Sequence, residues 1–172
     1  SVTQNDVNPL QVTANQWTTN PAYFAKFIGG CSANLSEVSA NALSALVRDS
    51  RVRGLSLLDS SNAINHQWSL LQSLGSQVQA LAFSDNSPVL KLTASQWQNT
   101  STLLGKISGD YGLSIQSANV NQLSALFSDT HVQAIDVTDT ASNIASQLDT
   151  IQNTIAPSNG SAPTATLAMH VI

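Results

Sequence analysis

Chemistry in this chain would have to come from three histidines, ten acidic residues, one cysteine, three arginines in one short run and three tryptophans. His66, His131 and His170 could serve as bases or metal ligands, but they fall in separate segments without ligand spacing. Each is read as an ordinary surface or half-buried side chain. Asp59 and Asp139 stand where a β-prone run hands over to a helical one. A carboxylate there accepts from free backbone N–H groups and opposes the helix dipole, so both are read as helix caps rather than catalytic acids. Arg48, Arg51 and Arg53 could form an anion site; since Ser128, His131 and Gln133 replace them 80 positions later, they are read as a solvated loop. Cys31 is alone, so no internal disulfide can form, and a buried inert thiol is expected. Trp17 and Trp97 hold equivalent positions, which favours packing; an exposed pair would instead offer a platform for stacking a sugar ring. No H-E-x-x-H, C-x-x-C, G-x-S-x-G, Walker or G-x-G-x-x-G motif occurs, nor any G-G-x-G-x-D calcium repeat. No catalytic residue, cofactor or metal is therefore assigned.

The elements carrying these residues repeat. Residues 10–74 align without a gap on 90–154, at an offset of 80. Identities fall at Leu10/Leu90, Thr13/Thr93, Ala14/Ala94, Gln16/Gln96, Trp17/Trp97, Lys26/Lys106, Asn41/Asn121, Asp49/Asp129, Val52/Val132, Asp59/Asp139 and Ile64/Ile144, with LSAL at 43–46 and again at 123–126. A fixed period with matched punctuation marks a repeat architecture. Two tandem copies of about 80 residues are expected, copy one over 10–79 and copy two over 90–155, in a single repeat domain spanning 1–172.

Within a copy, strands and helices alternate. Leu10–Thr13 reads as a strand; a helix is expected over 21–28 behind Asn20-Pro21, with Phe24, Phe27 and Ile28 inward. A strand near 33–36 leads to a helix near 40–49; Leu55–Leu58 leads to a helix striped by Ile64, Trp68, Leu71 and Leu74. Ala80–Ser84 is another strand. Copy two predicts a helix over 94–107, a strand at 113–116, a helix over 118–128, a strand at 135–138, and a helix carrying Ile144, Leu148, Ile151 and Ile155. The link from Ser84 to Val89 is too short for a helical crossover, so a hairpin or a kinked edge is expected there. Residues 156–163 read as a loop, and 164–172 as a β-prone segment opening a partial third repeat.

Apart from that link and the last step, strand starts are 22–25 residues apart, enough for a strand, a helix and two turns. Right-handed crossovers would stack such rungs with parallel strands on one face and helices on the other. The spacing Val52-x-x-Leu55-x-Leu57-x-x-Ser60, matched by Val132-x-x-Ile135-x-Val137-x-x-Thr140, has the outline of leucine-rich repeats. The fold class expected is α/β: a solenoid of strand–helix rungs with leucine-rich-repeat-like geometry and a mostly parallel sheet. If the copies are equivalent, Leu57 should share its environment with Val137, and Ile64 with Ile144.

Composition narrows the setting. Charged residues make up 9% of the chain, against about 25% in a typical soluble protein. Glu37 is the only glutamate. Ser, Thr, Asn and Gln must build the polar surface. Six basic residues and a net charge of −4 leave no footprint for nucleic acid or an anionic membrane, and no apolar run is long enough to insert.

The runs LTASQW, LGKISGDYGLSIQSANV and HVQAIDVTDTASNIASQLDTI resemble repeat arrays of very large bacterial secreted or surface proteins, the adhesin-like and hemolysin-type group. Asp139-Thr140-Ala141-x-Asn143-Ile144 is the most specific part, and copy one departs from it by moving the asparagine to position 62. The resemblance implies an extracellular or cell-surface module of structural or adhesive use, with no catalytic residues to transfer. On this basis the chain is expected to be non-enzymatic, a building block of a surface fibre, surface layer or adhesin. It would associate end to end through open sheet edges, with Thr164, Thr166, Leu167, Met169 and Val171 forming the assembly strand. The alternative is a carbohydrate- or host-receptor-binding module using the polar sheet face and the tryptophans Trp17 and Trp97.

Overall fold

The computed structural model describes residues 2–3, 8–28, 30–155 and 165–172. The first strands are β1 (Val2–Thr3), β2 (Leu10–Thr13), β3 (Phe27–Ile28), β4 (Ala33–Val38), β5 (Val52–Asp59) and β6 (Val78–Phe83). They are interleaved with helices α1 (Ala14–Thr19), α2 (Pro21–Phe24), α3 (Leu43–Leu46), α4 (Ser61–His66) and α5 (Trp68–Leu74). There follow β7 (Val89–Thr93), α6 (Ala94–Gln98), α7 (Ser101–Leu104), β8 (Ile107–Ser108) and β9 (Gly112–Ala118). The remainder is α8 (Leu123–Ser128), β10 (Val132–Asp139), α9 (Ala141–Ser146), α10 (Leu148–Ile155) and β11 (Thr166–Val171).

This is a mixed α/β chain in two compact units, Ser1–Asn86 with Thr102–Gly109, and Ser87–Ser101 with Asp110–Ile172. The first holds a five-stranded sheet in the order β2-β4-β5-β6-β8 and the small pair β1-β3; the second holds a four-stranded sheet, β11-β10-β9-β7. Every strand pairing among the described residues is parallel, and neither large sheet closes into a barrel. Parallel neighbours need a crossover, and the short helices supply it.

Inside the first unit the sheet buries Ala33, Leu35, Val38, Val52, Leu55, Leu57, Val78 and Leu81. Leu43, Leu46, Ile64, Trp68 and Leu71 bury the helical side. In the second unit Leu90, Leu92, Leu113, Ile115, Ala118, Val132, Ile135 and Val137 are the buried strand residues, with Val120, Leu123, Leu126 and Ile151 from the helical segments. At roughly 1.5–3 kcal/mol per large aliphatic side chain removed from water, this apolar layer is the main favourable contribution, as expected where no disulfide exists.

Local features recur at the offset of 80. Thr13 and Thr93 cap α1 and α6 in full capping boxes with Gln16 and Gln96. The strands β4 and β9 break register between residues 35 and 38, and between 115 and 118. There Glu37 (φ 54°) and Ser117 (φ 53°) adopt the left-handed conformation, so three residues replace two and Leu35 and Val38 both face the core, as do Ile115 and Ala118.

Several helices are shorter than their sequences suggest. The segment 21–28 is helical only to Phe24 and then forms β3, so Phe27 lies on a strand. Likewise 94–107 splits into α6, α7 and β8. The segment 40–49 is a 3₁₀ turn followed by one turn of α3. The link 84–89 is no hairpin, because β6 and β7 belong to different sheets. The loop expected at 156–163 lies outside the described residues, as does Thr164.

Of the two pairs expected to match, Leu57 (2% exposed) and Val137 (0%) do. Ile64 is fully buried, whereas Ile144 is half-buried, and Trp68 (2% exposed) corresponds in the repeat to Leu148, which is 54% exposed. The units also differ in their strands: Thr102–Gly109 adds β8 outside β6 in the first, and among the described residues β11 has no such strand beyond it.

Candidate functional site

The tryptophans form clusters, not platforms. In the first unit the Trp17 indole Nε1–H donates to Asp49 Oδ2 at 3.2 Å, across 32 residues. Asp49 also takes Arg51 in a bidentate grip, Nε to Oδ1 at 2.9 Å and a terminal nitrogen to Oδ2 at 2.7 Å. The guanidinium lies 4.8 Å from the Trp17 ring centroid, so the indole face is already covered by a cation. Trp17 is only 5% exposed and packs on Phe24 at 4.5 Å between centroids.

The second unit builds the same arrangement with different chemistry. Trp97 donates to Asp129 Oδ2 at 2.9 Å, again across 32 residues. Asp129 Oδ1 meets His131 Nδ1 at 3.1 Å, and the imidazole stacks on Tyr111 at 4.2 Å and 11°. Trp97 is half-buried. The packing expected of the pair is met at Trp17, which is closed to solvent, and the alternative of an open sugar platform is not what the indoles form, since each indole edge is bonded to a carboxylate. Arg51, expected in a solvated loop, belongs to one of these clusters.

The clusters are acid-sensitive by construction. Hydrogen bonds from the Arg51 side chain, against a smaller opposing effect of burial, hold the Asp49 carboxyl down from 3.8 to about 2. Burial pushes Asp129 up, but bonds from Trp97 and from the His131 backbone and ring outweigh it and leave it below the ordinary value. A carboxyl lowered in the folded state stabilises above its unfolded value, near pH 4, and loses that contribution as pH falls toward its folded value. The first unit is accordingly expected to lose stability between about pH 4 and pH 2, read as a falling midpoint in thermal melts followed by circular dichroism. Asp49→Asn should start less stable and show a flatter acid slope; an unchanged slope would remove Asp49 from this role.

The aspartates expected as helix caps do something related. The N-cap of α4 is Ser60, whose Oγ accepts from Ala63 N–H, and that of α9 is Thr140, accepting from Asn143 N–H. Asp59 instead accepts from Ser60 N–H at 2.7 Å and, with its other oxygen, from Ala40 N–H at 2.9 Å, 19 residues back. Asp139 does the same with Thr140 at 2.8 Å and Val120 at 3.1 Å, and adds Asn143 Nδ2 at 2.6 Å. Asp85 accepts from Ser61 N–H at 2.5 Å, 24 residues back. Each carboxylate at a strand end thus ties the start of the preceding helical segment. Hydrogen bonds, led by that from Asn143, hold Asp139 below its ordinary value. Asp59, Asp85 and Asp139 are thus engaged in tying strand ends to helical segments.

The other singled-out groups stay local. His66 Nδ1 lies 2.7 Å from Asn62 O, and His170 Nε2 lies 3.0 Å from Asp136. Cys31 is buried beside the Phe24 carbonyl, and burial pushes its thiol up. No cluster of three or more His, Cys, Asp or Glu able to hold a metal occurs among the described residues. No helix among them is long and apolar enough to cross a membrane.

Two surfaces remain. An open groove of about 390 Å³ in the first unit is lined by Leu10, Val12, Phe24 and Phe27, with Tyr23 and polar Gln11, Gln16 and Asn20 around it. The second surface is β11. It is an edge strand, paired with β10 from Ala134↔Thr166 to Asp139↔Val171, and it exposes Met169 (40%), Val171 (64%) and, just beyond, Ile172 (78%). Its register puts Met169 opposite Val137, as β6 puts Leu81 opposite Leu57. β11 therefore fills the place of β6 and completes the second sheet, where sequence led us to expect the opening of a third repeat.

Comparison with known proteins finds no matching family model, no similar curated protein and no similar solved structure.

Proposed function

We propose that the chain is a non-enzymatic structural segment that associates with its own kind end to end, built as a solenoid of strand–helix rungs in two tandem copies. The observation that carries this reading is β11: an edge strand that, with Ile172 just beyond it, leaves three large apolar side chains open to water. Unguarded apolar edges are what β-proteins ordinarily blunt with charge, and this edge carries none of Lys, Arg, Asp or Glu from Thr166 to Ile172. The low charge and the resemblance to adhesin-like, hemolysin-type arrays support placement outside the cell or on its surface.

Sedimentation velocity and electron microscopy across a concentration series test it. Growth from monomer to chains of increasing length is expected; a monodisperse monomer at every concentration overturns the proposal. Removing residues 164–172 is a poor probe, because it also uncovers β10. The groove around Tyr23 favours a second reading, a carbohydrate- or receptor-binding module: a glycan bound by the wild type and lost on Tyr23→Ala, with unchanged circular dichroism, would favour it.

A further inference from the structure

Resting on end-to-end association, we infer the interface itself: β11 of one chain takes β3 of a second copy on its open edge, in the register in which β6 takes β8. The first unit contains the finished version of this contact. There Leu81 pairs with Ile107 and Ala82 with Ser108. Leu81 N–H donates to the Lys106 carbonyl at 2.9 Å, and Lys106 Nζ reaches back to the carbonyls of Gly75 (2.9 Å) and Val78. Leu81 is fully buried and Leu103 nearly so.

Each part of that contact has a counterpart in the chain, and among the described residues the edge of β3 is held by no more than the two residues of β1. On one side, Met169 stands for Leu81 and His170 for Ala82, by their partners in β10 and β5. Ile172 N–H donates to Asp139 O, so by alternation Met169 N–H points away from β10, as Leu81 N–H points to Lys106. On the other side, Phe27 and Ile28 stand 80 positions before Ile107 and Ser108, Lys26 before Lys106, and Tyr23 before Leu103. Lys26 is exposed and its Nζ has no partner among the described residues. Tyr23 is 54% exposed where Leu103 is 6%. Two incomplete halves of one contact lie on one chain, and a second copy supplies each with what it lacks.

In the docked pair Met169 sits opposite Phe27 and His170 opposite Ile28. Met169 N–H donates to the Lys26 carbonyl, and Lys26 Nζ donates to a carbonyl at the start of β11, where Thr166 takes the place of Val78. Tyr23 closes over the apolar residues of β11. Within a single chain the edge of β3 is held by β1, only Val2 and Thr3, which the six-residue β11 displaces.

The test uses full-length chains in a Cys31→Ala background. Met169→Cys and Phe27→Cys, made separately and mixed under mild oxidation, are expected to form a mixed disulfide dimer well above the level of either alone. Lys26→Ala should weaken association about tenfold or more, as loss of charge-assisted bonds to carbonyls predicts, with the melting temperature of the monomer unchanged. Met169→Pro removes the outward N–H while sparing the bond pattern to β10, and should block growth. Lys26→Arg should restore part of the association. If chains still lengthen but the mixed disulfide is absent and Lys26→Ala is neutral, this interface is wrong and end-to-end association stands. If no association occurs at any concentration, both fall.

Discussion

Trp68→Ala is expected to lower the unfolding free energy by about 3–5 kcal/mol, while Leu148→Ala, at the matching position of the second copy, changes it by less than about 0.5 kcal/mol. Trp68 is 2% exposed and Leu148 54%. Same position in the repeat, opposite cost: burial decides, not pattern. Among the described residues the Trp68 Nε1–H has no hydrogen-bond partner, so Trp68→Phe gives up little hydrogen bonding along with its volume and should cost well under the alanine variant. Urea denaturation of the three variants checks this, and equal losses at Trp68 and Leu148 would show that the two sites are covered alike.

The second large effect is symmetric. Leu43 (0% exposed) and Leu123 (1%) open the same LSAL turn in the two units. Each alanine variant leaves a cavity in a closed layer and should cost about 2–5 kcal/mol, the two agreeing within about 1 kcal/mol. A much smaller loss at one of them would show that its unit can collapse around the gap and that the two turns are not packed alike. Beside the Trp68 and Leu148 pair, these variants separate positions where the copies are alike from those where one is uncovered.

What the sequence revealed and hid follows from range. The offset of 80, the strands at 10, 33, 55, 80, 90, 113 and 135, and the inward stripe through Ile64, Trp68 and Leu71 are local or periodic, and the chain displays them. The two-residue strands β3 and β8 are too short to show an alternation, so Phe27-Ile28 was absorbed into a helical stretch. Local rules place a cap at Asp59 or Ser60 and at Asp139-Thr140; Ser60 and Thr140 do the capping, while the carboxylates reach 19 residues back, beyond what a local rule finds. The Trp17–Asp49 and Trp97–Asp129 bonds span 32 residues and no local rule finds them. One signal was present: both members of each pair recur together at the same offset, which is what a contact kept in two copies looks like. The exposure of Met169 and Val171 on β11 has no local sign, because their alternation suits a buried strand as well as an open one.

The left-handed residues Glu37 and Ser117 have a further effect on how the sheets assemble. A parallel strand can slide by two residues and still keep its apolar side inward, so hydrophobic pattern alone tolerates misalignment. In β4 and β9 a slide of two would carry the three-for-two kink away from the partner stretch that accommodates it, and Leu35 and Val38, or Ile115 and Ala118, would no longer meet their facing residues together. The kink works as a key cut for one lock. In a chain with so few charges to penalise wrong neighbours, a backbone irregularity guards against slippage where side-chain repulsion cannot.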